Sequence, residues 1–471
     1  MIRIARLRRR PRWGAPLFAL GLAAAVARCS NLLDVDNPNN IKGEDIPLPT
    51  AAGPLLNGVH SALARGINDV VLPIATASDE LDWVGSRDAW RQLEYGDLSD
   101  PFNEFTDAAY PNLAQARWMA DEAIKIMEQH RAANFFVQRV AVDPVLLARA
   151  YFYGGLAYVT IGELFDRWAF SDRFTAAPPV APDQMRQVYD TAIAYLGRGY
   201  VFADSLVAAG NATAAPWRLA IVALRARAKH ARAVWDMIGR VPTSPAVISN
   251  QGMVNDAGAL ADAQLADSLL STPDWKFEFK YSATTVGGDF GAWVNDRTEM
   301  RLGDAYVYAN VNNKTWDSTR ILDPITNARD PVVNATATAF KAGSVYPSFT
   351  VLSARELHLI AAEVRLAQAD TAGFTASINA LRTINGLAPY DPANAAHPRP
   401  RDMLIYERQV NLYLQGRRLA DMYRFSIPYT VAAGGKWQPT SEAVTQPGRF
   451  LPLTARECLS NPLIGGAACR I

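Results

Sequence analysis

The sequence predicts a mainly α-helical protein in which helix pairs stack into a tetratricopeptide-like superhelix, beside an irregular, loop-rich half containing a few short strands. Several long segments place apolar residues at helical spacing and are separated by short breaks. Residues 241–350 are instead rich in Gly, Asn, Asp and Thr, with no sustained helical period. With 471 residues, 49% apolar and 20% charged, the chain can bury a large core.

The N-terminus has the pattern of an export signal. Residues 1–12 are basic, and the apolar run of residues 13–27 is too short to span a bilayer comfortably. Cys29 follows this run and is a predicted lipid-attachment site, which also predicts a membrane anchor. Arg28 departs from the small residue that usually precedes such a cysteine, so an ordinary cleaved signal and an uncleaved anchor remain alternatives.

The charge balance excludes one class of partner. Seven arginines and no acidic residue precede Cys29, so the net charge of +1 becomes −6 when they are removed. Nucleic-acid binding needs clustered cations along the phosphates. We therefore expect no nucleic-acid partner.

The other two cysteines lie close together near the C-terminus. Cys458 and Cys469 flank a stretch with proline and glycines that can turn the chain back. A disulfide between them would persist outside the cytoplasm and close a short loop, a stabilisation of roughly 3 kcal/mol in the chain-entropy model. Two unpaired thiols are the alternative.

Composition and periodicity divide the chain into five segments. Residues 1–28 are a predicted lipoprotein signal peptide, and residues 29–50, rich in Asn, Asp and Pro, form a predicted tether. Residues 51–240 form an N-terminal helical region, residues 241–350 the irregular region with the ligand-binding loops, and residues 351–471 a C-terminal helical region with a tail.

The N-terminal region contains four long helical patterns, at residues 111–129, 144–165, 185–206 and 216–238. They are rich in alanine and in tyrosine or tryptophan. This composition predicts antiparallel helix pairs in which small residues of one helix admit the aromatic rings of its neighbour. Most of these aromatic side chains are accordingly predicted to lie in the core.

The irregular region and the C-terminal region give different patterns. The stretch "WKFEFKYS" at residues 275–282 predicts a short strand. Helical spacing returns at Ser353, continues in a partner helix over residues 371–385, and begins again near Asp402, a plausible N-cap. The tail from Ser426 onward is predicted to be loop and turn.

Two polar stretches carry aromatic residues that are hard to explain as helix core. Sugars stack their apolar C–H faces on aromatic rings, and Asn, Asp and Arg can hydrogen-bond their hydroxyl groups. These stretches predict a shallow aromatic platform, although burial of any one tryptophan in the scaffold is the competing interpretation. The candidate ligand-binding residues are Trp83, Arg87 and Trp90 in the first stretch, and Trp293, Asn295, Arg297 and Trp316 in the second.

The sequence offers little for catalysis. Asp79, Glu80 and Asp82 lie together in "SDELD", but a glycosidase needs two carboxylates at a defined separation across the scissile bond. The five histidines are dispersed without metal-ligand spacing, and no phosphate-binding loop or nucleophile elbow occurs. We predict a protein without catalytic residues, metal or cofactor.

Several motifs in order resemble one family. "LDV…P" follows Cys29, and "SDELDWVGS", "RAYFYGGLAY" and "WRLAIVALRARA" come in family-like succession. "YPSFTVLSARELHLIAAEVRLAQAD", "INALRTINGL" and "LIYERQVNLYLQGRRLADMYRF" give the strongest match, and "RFLPLTARECLSNPLI" resembles the closing segment. Over nearly the whole mature chain, the sequence resembles the SusD/RagB-like nutrient-binding lipoproteins of the bacterial outer membrane.

The resemblance implies a surface-exposed, lipid-anchored protein of the outer membrane. Such a protein captures glycans, or sometimes peptides, and serves as a lid on a SusC-like TonB-dependent transporter. The resemblance also suggests structural roles for Glu407, Arg418, Asp421 and Arg424, as charged groups that tie a helix to the segment after it. Asn411 and Gln415 stand where the family usually has acidic residues.

Two functional hypotheses follow from the sequence. The first is a non-catalytic lipoprotein that captures an oligosaccharide or peptide for import. The second is a helical-repeat scaffold of the cell envelope with no small-molecule ligand. The tryptophan-bearing irregular region favours capture, since a pure repeat scaffold has little use for a long aromatic loop region.

Overall fold

The computed structural model describes residues 45–137, 142–238, 252–309, 316–341 and 346–465. The chain divides into two units, residues 1–51 and residues 52–471. In the described part of the first unit, a turn leads into the 3₁₀ helix Pro49–Ala51. The predicted signal peptide and Cys29 lie outside the described residues.

Helices make up most of the second unit, as predicted. The longer ones are α1 (Ala52–Ala77), α2 (Asp88–Glu94), α3 (Glu104–Ala132), α4 (Val145–Leu164), α5 (Arg186–Ala208), α6 (Ala215–Ile238), α7 (Ala257–Ser268), α8 (Pro331–Lys341), α9 (Ala354–Ala367), α10 (Thr371–Ile384), α11 (Pro400–Asn411) and α12 (Arg418–Phe425). Shorter segments are Pro182–Gln184, Ala212–Ala214, Asp289–Gly291, Val431–Ala433, Glu442–Thr445 and Ala455–Ser460, with a π-helical turn at Ala292–Asp296.

Neighbouring helices pack in succession, from α3 on α4 through α4 on α5 and α5 on α6, and again in the pair of α9 and α10. Small residues permit the close crossings. A Cβ built on Gly162 of α4 would lie 2.7 Å from the Tyr189 ring of α5. The predicted fold class, a mainly helical superhelix whose small residues admit aromatic rings, is therefore confirmed.

Helix α4 is the one helix among the described residues that is long and apolar enough to cross a bilayer. Its most apolar window is 89% buried inside the protein. A helix apolar on all sides and covered by its neighbours is a core helix. This burial agrees with the aromatic-rich pattern of residues 144–165.

Two helices begin earlier than the sequence patterns indicate. Helix α3 begins at Glu104, before Pro111, because the Asn103 side chain accepts hydrogen bonds from the Phe105 and Thr106 N–H groups and caps it. Helix α11 begins at Pro400, so Asp402 lies in the first turn and is not the N-cap.

The strands of the described residues form four antiparallel two-stranded ribbons. The strands are β1 (Leu81–Trp83), β2 (Trp168–Ala169), β3 (Pro179–Val180), β4 (Lys276–Phe279), β5 (Met300–Leu302), β6 (Val307–Ala309), β7 (Trp316–Thr319) and β8 (Phe349–Ser353). The pairs are β1 with β5, β2 with β3, β4 with β8, and β6 with β7. Strand β4 lies within the predicted strand at residues 275–282.

The region of residues 241–350 is less irregular than predicted, because it contains α7 and α8. Helix α7 packs against α6 and α9, and the Asp256 side chain caps it by accepting the Ala259 N–H. Similarly, the described part of the C-terminal tail contains two short α-helices, Glu442–Thr445 and Ala455–Ser460. These helices are short and depend on contacts with other elements, which local periodicity does not reveal.

Buried ion pairs join the C-terminal helices to the rest of the unit. Arg418 of α12 forms a two-pronged pair with Asp79 at 2.8 and 2.7 Å. Asp421 accepts hydrogen bonds from Arg408 at 2.8 Å and from Arg424 at 2.9 Å. Asp421 thus ties α12 to Arg408 of α11, as predicted, whereas Arg418 pairs with a residue far away in the sequence and not with the segment next to its helix.

A second buried pair system stabilises α10 and α11. Arg382 donates to Glu407 and to Asp323, each at 2.9 Å, and all three side chains are fully buried. Glu407 therefore has a structural role, but through Arg382 it ties α11 to the preceding helix α10 and not to the segment after α11. Cys458, in the C-terminal tail, is disulfide-bonded, while its predicted partner Cys469 lies outside the described residues.

Candidate functional site

The two predicted ligand-binding stretches meet at the β1–β5 ribbon. Trp83 of β1 lies opposite Met300 of β5. Beyond the ribbon, the Val84 and Gly85 N–H groups donate to the Glu299 carbonyl oxygen at 3.0 and 3.1 Å. The structure thus brings together segments that are more than two hundred residues apart in the sequence.

The Glu299 carboxylate fixes the loop that follows β1. It accepts hydrogen bonds from the Ser86 N–H at 2.7 Å, the Ser86 hydroxyl at 3.0 Å and the Arg87 N–H at 3.2 Å. Burial alone would raise the pKa of Glu299, but these hydrogen bonds outweigh it and hold the pKa below its usual value. Glu299, next to the second stretch, therefore fixes the position of the loop that carries Arg87.

Trp90 and Trp293 form a buried aromatic cluster with Phe105. The Trp90 ring stacks on the Phe105 ring, with centroids 3.6 Å apart. The Trp293 ring contacts both rings edge to face, with its centroid 5.3 Å from that of Trp90 and 5.0 Å from that of Phe105. Trp90 is 1% exposed and Trp293 7%. These two rings are buried and do not form the exposed platform that the sequence predicts.

The remaining predicted residues have different places. Trp83 is half-buried, with the Arg91 guanidinium 5.6 Å from the centre of its ring. Arg297 is exposed and lies 4.2 Å from the centre of the Trp293 ring, whereas the Asn295 amide donates to the Phe340 carbonyl oxygen at 2.7 Å. Trp316 begins β7, and its side chain lies outside the described part of the structure.

An open cleft of about 730 Å³ lies beside this cluster, between α2 and the start of α3. We call it the first cleft. Among the predicted ligand-binding residues whose side chains the structure describes, Arg87 alone lines it. Its side chain forms an ion pair with Glu104 at 3.3 Å, with both side chains about half exposed. The other lining residues are Ser86, Asp88, Ala89, Arg91, Gln92, Tyr95, Asp97, Asp100, Phe102 and Asn103.

Two aromatic residues of the first cleft were not identified from the sequence. Tyr95 is half-buried, and Phe102 is 66% exposed. Both occur in "YGDLSDPFNEF", where Gly, Asp, Ser, Pro and Asn surround aromatic residues. This combination is the same signal that identified the two tryptophan stretches, so it could have identified this segment.

Asn103 holds the walls of the first cleft together. Besides capping α3, its amide nitrogen donates to the Ala89 carbonyl oxygen at 2.9 Å and to the Gln92 Oε1 atom at 3.0 Å. The Gln92 amide in turn donates to Asp100 at 3.0 Å. The cleft is therefore built on the ends of two helices joined by side-chain hydrogen bonds, a preorganised arrangement.

The lining of the first cleft carries more acidic than basic side chains. Two arginines, Arg87 and Arg91, face four acidic residues. Burial raises the pKa of one of these, Asp97, and outweighs the hydrogen bond from the Glu442 N–H, which would lower it. This surplus disfavours an anionic ligand, whereas carboxylates, guanidinium groups and an exposed aromatic ring can all bind uncharged hydroxyl-rich molecules.

The three acidic residues of "SDELD" lie buried. Asp79 is engaged with Arg418, and the Glu80 carboxylate accepts the Leu414 N–H at 2.7 Å. Burial raises the pKa of Glu80 to about 8. Asp82 accepts hydrogen bonds from Arg301 and from the Asp304 N–H. These contacts give the three carboxylates structural roles inside the fold.

Among the described residues, no group of three or more His, Cys, Asp or Glu side chains has the arrangement to hold a metal ion. The five histidines occupy separate places in the fold. His230, for example, contacts Glu363 at 2.9 Å inside the core, while His397 lies in an exposed loop. The described residues therefore give no support to a metal site.

Glu94 connects α2 to the β1–β5 ribbon, and its titration makes the stability of the folded protein depend on pH. Its carboxylate accepts the Trp83 N–H at 3.0 Å. Burial, reinforced by the nearby Asp82 carboxylate, raises the pKa of Glu94 from its usual 4.5 to about 7. The folded state therefore holds this proton more tightly than the unfolded chain. The stabilisation from this group is complete below about pH 4.5 and is lost as pH rises through 7.

We expect the substitution Glu94→Gln to remove this pH dependence. Glutamine keeps the oxygen that accepts the Trp83 N–H but carries no charge. Compared with the unchanged protein, the variant should be more stable near pH 8, by on the order of 2–3 kcal/mol, and similar near pH 4.5. Urea unfolding at both pH values measures the difference. An equal difference at the two pH values would show that Glu94 does not titrate as described.

Comparisons with known proteins identify the fold. No protein-family model and no curated protein matches the sequence. Solved structures do match: a SusD homolog from Bacteroides thetaiotaomicron has a TM-score of 0.55 at 13% identity, covering 89% of this chain and 97% of that one. A SusD superfamily protein from Bacteroides fragilis has a TM-score of 0.54 at 14% identity, covering 88% and 99%.

A third solved structure is described as a SusD-like carbohydrate binding protein from Bacteroides fragilis. Its TM-score is 0.52 at 12% identity, and the match covers 80% of this chain and 86% of that one. At such identities the likeness concerns the fold. The resemblance predicted from the sequence motifs is confirmed at this level: the chain has the fold of the SusD superfamily.

Proposed function

We propose that this chain is a surface-exposed outer membrane lipoprotein that captures an oligosaccharide and delivers it to a SusC-like TonB-dependent transporter, without catalysing a reaction. A peptide is the alternative ligand. The fold supports this proposal, because one of the similar structures is described as a carbohydrate binding protein. The N-terminal pattern that ends at Cys29 supports the lipid anchor and the outer-membrane location.

The observation that carries the proposal is the first cleft, with an exposed aromatic ring beside fixed hydrogen-bonding groups. Phe102 offers a face on which the C–H side of a sugar can stack. Arg87, Glu104 and Asp100 surround it with donors and acceptors for hydroxyl groups. At about 730 Å³, the cleft lies within the range of roughly 300–1,000 Å³ that is usual for small-molecule sites.

Phe102→Ala is the substitution that tests this cleft most selectively. Because the ring is mostly exposed, its removal should leave the free energy of unfolding within about 0.5 kcal/mol. We expect the loss of its stacking surface to weaken saccharide binding about tenfold, which corresponds to about 1.4 kcal/mol. A glycan array with the mature chain selects the saccharide, and calorimetric titration measures the affinity.

Phe174→Ala is the matched control, since Phe174 is 86% exposed and does not line the first cleft. It should bind as tightly as the unchanged protein. Equal binding by both variants would remove the first cleft as the capture site. If the folded chain bound no saccharide or peptide while still co-purifying with a barrel transporter, the scaffold hypothesis would replace capture.

Intact-mass analysis tests the proposed anchor separately. A mature chain that begins at Cys29 and carries acyl groups is the expected result. A chain that begins elsewhere, or that lacks acyl groups, would contradict lipidation.

A further inference from the structure

A second cleft, of about 580 Å³, opens on another side of the segment that carries Trp293. It lies between the β4–β8 ribbon and α8, and Tyr413, Leu414 and Gln415 close one end. None of the described residues lines both clefts. The two clefts are therefore separate sites on the chain.

One wall of the second cleft is polar. Lys276 and Glu278 are two residues apart on β4, so their side chains share a face of the ribbon. Thr350 of β8 lies opposite Glu278, and its hydroxyl donates to the Glu278 carboxylate at 3.3 Å. Phe277, between the two charged residues, packs instead against Phe152, with centroids 4.8 Å apart. The alternation of β4 directs hydrogen-bonding groups into the cleft.

The charges on this wall compensate one another. Arg355 donates to both carboxylate oxygens of Asp274, at 3.0 and 3.2 Å, and Lys276 lies 3.6 Å from the same carboxylate. Glu278 pairs with Lys280 at 2.5 Å. An ionic ligand would have to displace one of these pairs, whereas an uncharged ligand could bind to them as they stand.

The opposite wall is largely apolar. It consists of one face of α8, which combines small side chains with larger apolar ones. The lining residues of this helix are Val332, Ala335, Thr336, Ala339 and Phe340, at the i, i+3, i+4, i+7 and i+8 spacing. The Phe290 ring meets the Phe340 ring at 5.3 Å, nearly perpendicular, and extends the apolar floor.

Gln415, at this end of the cleft, holds an acceptor that has no partner among the described residues. The residue is 9% exposed, and its amide nitrogen donates to the Asn411 carbonyl oxygen at 3.0 Å. Since that carbonyl can only accept, the amide orientation is fixed. The Oε1 atom then has no hydrogen-bond partner among the described residues. A buried unpaired acceptor is costly, so a donor such as a hydroxyl group would stabilise this end.

We propose that the second cleft binds a short, neutral oligosaccharide. A pyranose chain presents a hydroxyl edge next to a C–H face, which matches a polar wall next to an apolar one. The hydroxyl edge lies along Lys276, Glu278 and Thr350, the C–H face lies on α8, and one hydroxyl donates to Gln415 Oε1. This site goes beyond the proposed function, because it has its own residues and does not depend on the first cleft.

The test titrates the mature chain with four neutral hexasaccharides: maltohexaose, cellohexaose, xylohexaose and mannohexaose. Ala335→Trp fills the second cleft from the exposed side of α8. Asn334→Trp, at the neighbouring exposed position outside the lining, is the matched control. For at least one hexasaccharide, we expect Ala335→Trp to weaken binding more than tenfold and the control to bind normally.

A second pair of variants approaches the cleft from the other wall, in case the tryptophan disturbs α8. Glu278→Ala removes a lining carboxylate, whereas Lys280→Ala removes its ion-pair partner, which does not line the cleft. We expect severalfold weaker binding from the first variant only. Circular dichroism confirms that each variant is folded.

The outcomes separate this site from the first cleft. Weakening by Ala335→Trp and Glu278→Ala, but not by Phe102→Ala, supports the second cleft and leaves the first without a ligand. Weakening by Phe102→Ala alone overturns the second cleft and supports the proposed function. Failure of all four hexasaccharides to bind at millimolar concentration also overturns this inference.

Discussion

Replacing Arg424 by alanine is expected to lower the free energy of unfolding by about 3–5 kcal/mol. The side chain is fully buried and donates to both oxygens of the Glu363 carboxylate, and to Asp421 at 2.9 Å. Without Arg424, too little positive charge remains around Glu363 to balance its buried carboxylate. The loss is that of an uncompensated buried carboxylate, which greatly exceeds the net contribution of an intact ion pair.

The pKa values of the two acidic residues agree with this role. Burial alone would raise the pKa of Glu363, but Arg424, with help from His230, holds it well below the usual value. In Asp421, Arg408 first and Arg424 second likewise outweigh burial and lower the pKa. Without Arg424, both carboxylates lose a cation that stabilises their charged forms.

Arg399→Ala serves as the control, because this arginine is 86% exposed and pairs with Asp402 at 2.9 Å on the surface. It should cost less than about 1 kcal/mol. Urea unfolding followed by circular dichroism measures both variants. The role given to Arg424 would be contradicted if Arg424→Ala lowered the free energy of unfolding no more than Arg399→Ala does.

Replacing Trp90 by alanine is expected to cost about 3–5 kcal/mol of stability, the usual loss for a buried large aromatic side chain. The ring is packed between Phe105 and Trp293, and neither neighbour can fill the cavity without leaving its own contacts. Trp90→Phe should cost clearly less, because it retains the stack on Phe105. It also removes the indole N–H, which has no hydrogen-bond partner among the described residues.

The Trp90 variant also distinguishes support from ligand contact. Its loss of stability should be accompanied by weaker saccharide binding, since Trp293 and the loop around Arg87 depend on the same cluster. Phe102→Ala should weaken binding with little change in stability. Thermal unfolding and near-ultraviolet circular dichroism measure the packing. An unaltered spectrum with unaltered stability in Trp90→Ala would contradict the buried cluster.

The periodic helices were predictable because their signal is local. The apolar spacing of residues 144–165 and 216–238 depends only on which side chains share a helix face, and α4 and α6 follow closely. Helix α8 was missed because "VVNATATAF" is rich in β-branched residues with modest helix propensity. Its contacts with other elements stabilise it, and these involve residues distant in sequence.

The candidate site was predictable as a region but not residue by residue. The polar, aromatic-bearing stretches around Trp83 and Trp293 do meet, at the β1–β5 ribbon. Composition does not show which aromatic ring is covered, and the stack on Phe105 buries Trp90. Phe102, by contrast, is exposed because it lies in the turn before the α3 cap. Whether each aromatic side chain is buried or exposed depends on strand pairing and helix packing between segments distant in sequence.

Hydrogen–deuterium exchange with and without the saccharide selected on the array tests the central claim most directly. A saccharide held in the first cleft should slow exchange over residues 86–104, where the lining and its hydrogen-bonded supports lie. Phe102→Ala should reduce this protection, and Phe174→Ala should not. Saccharide binding with no added protection in residues 86–104 would contradict capture at this site.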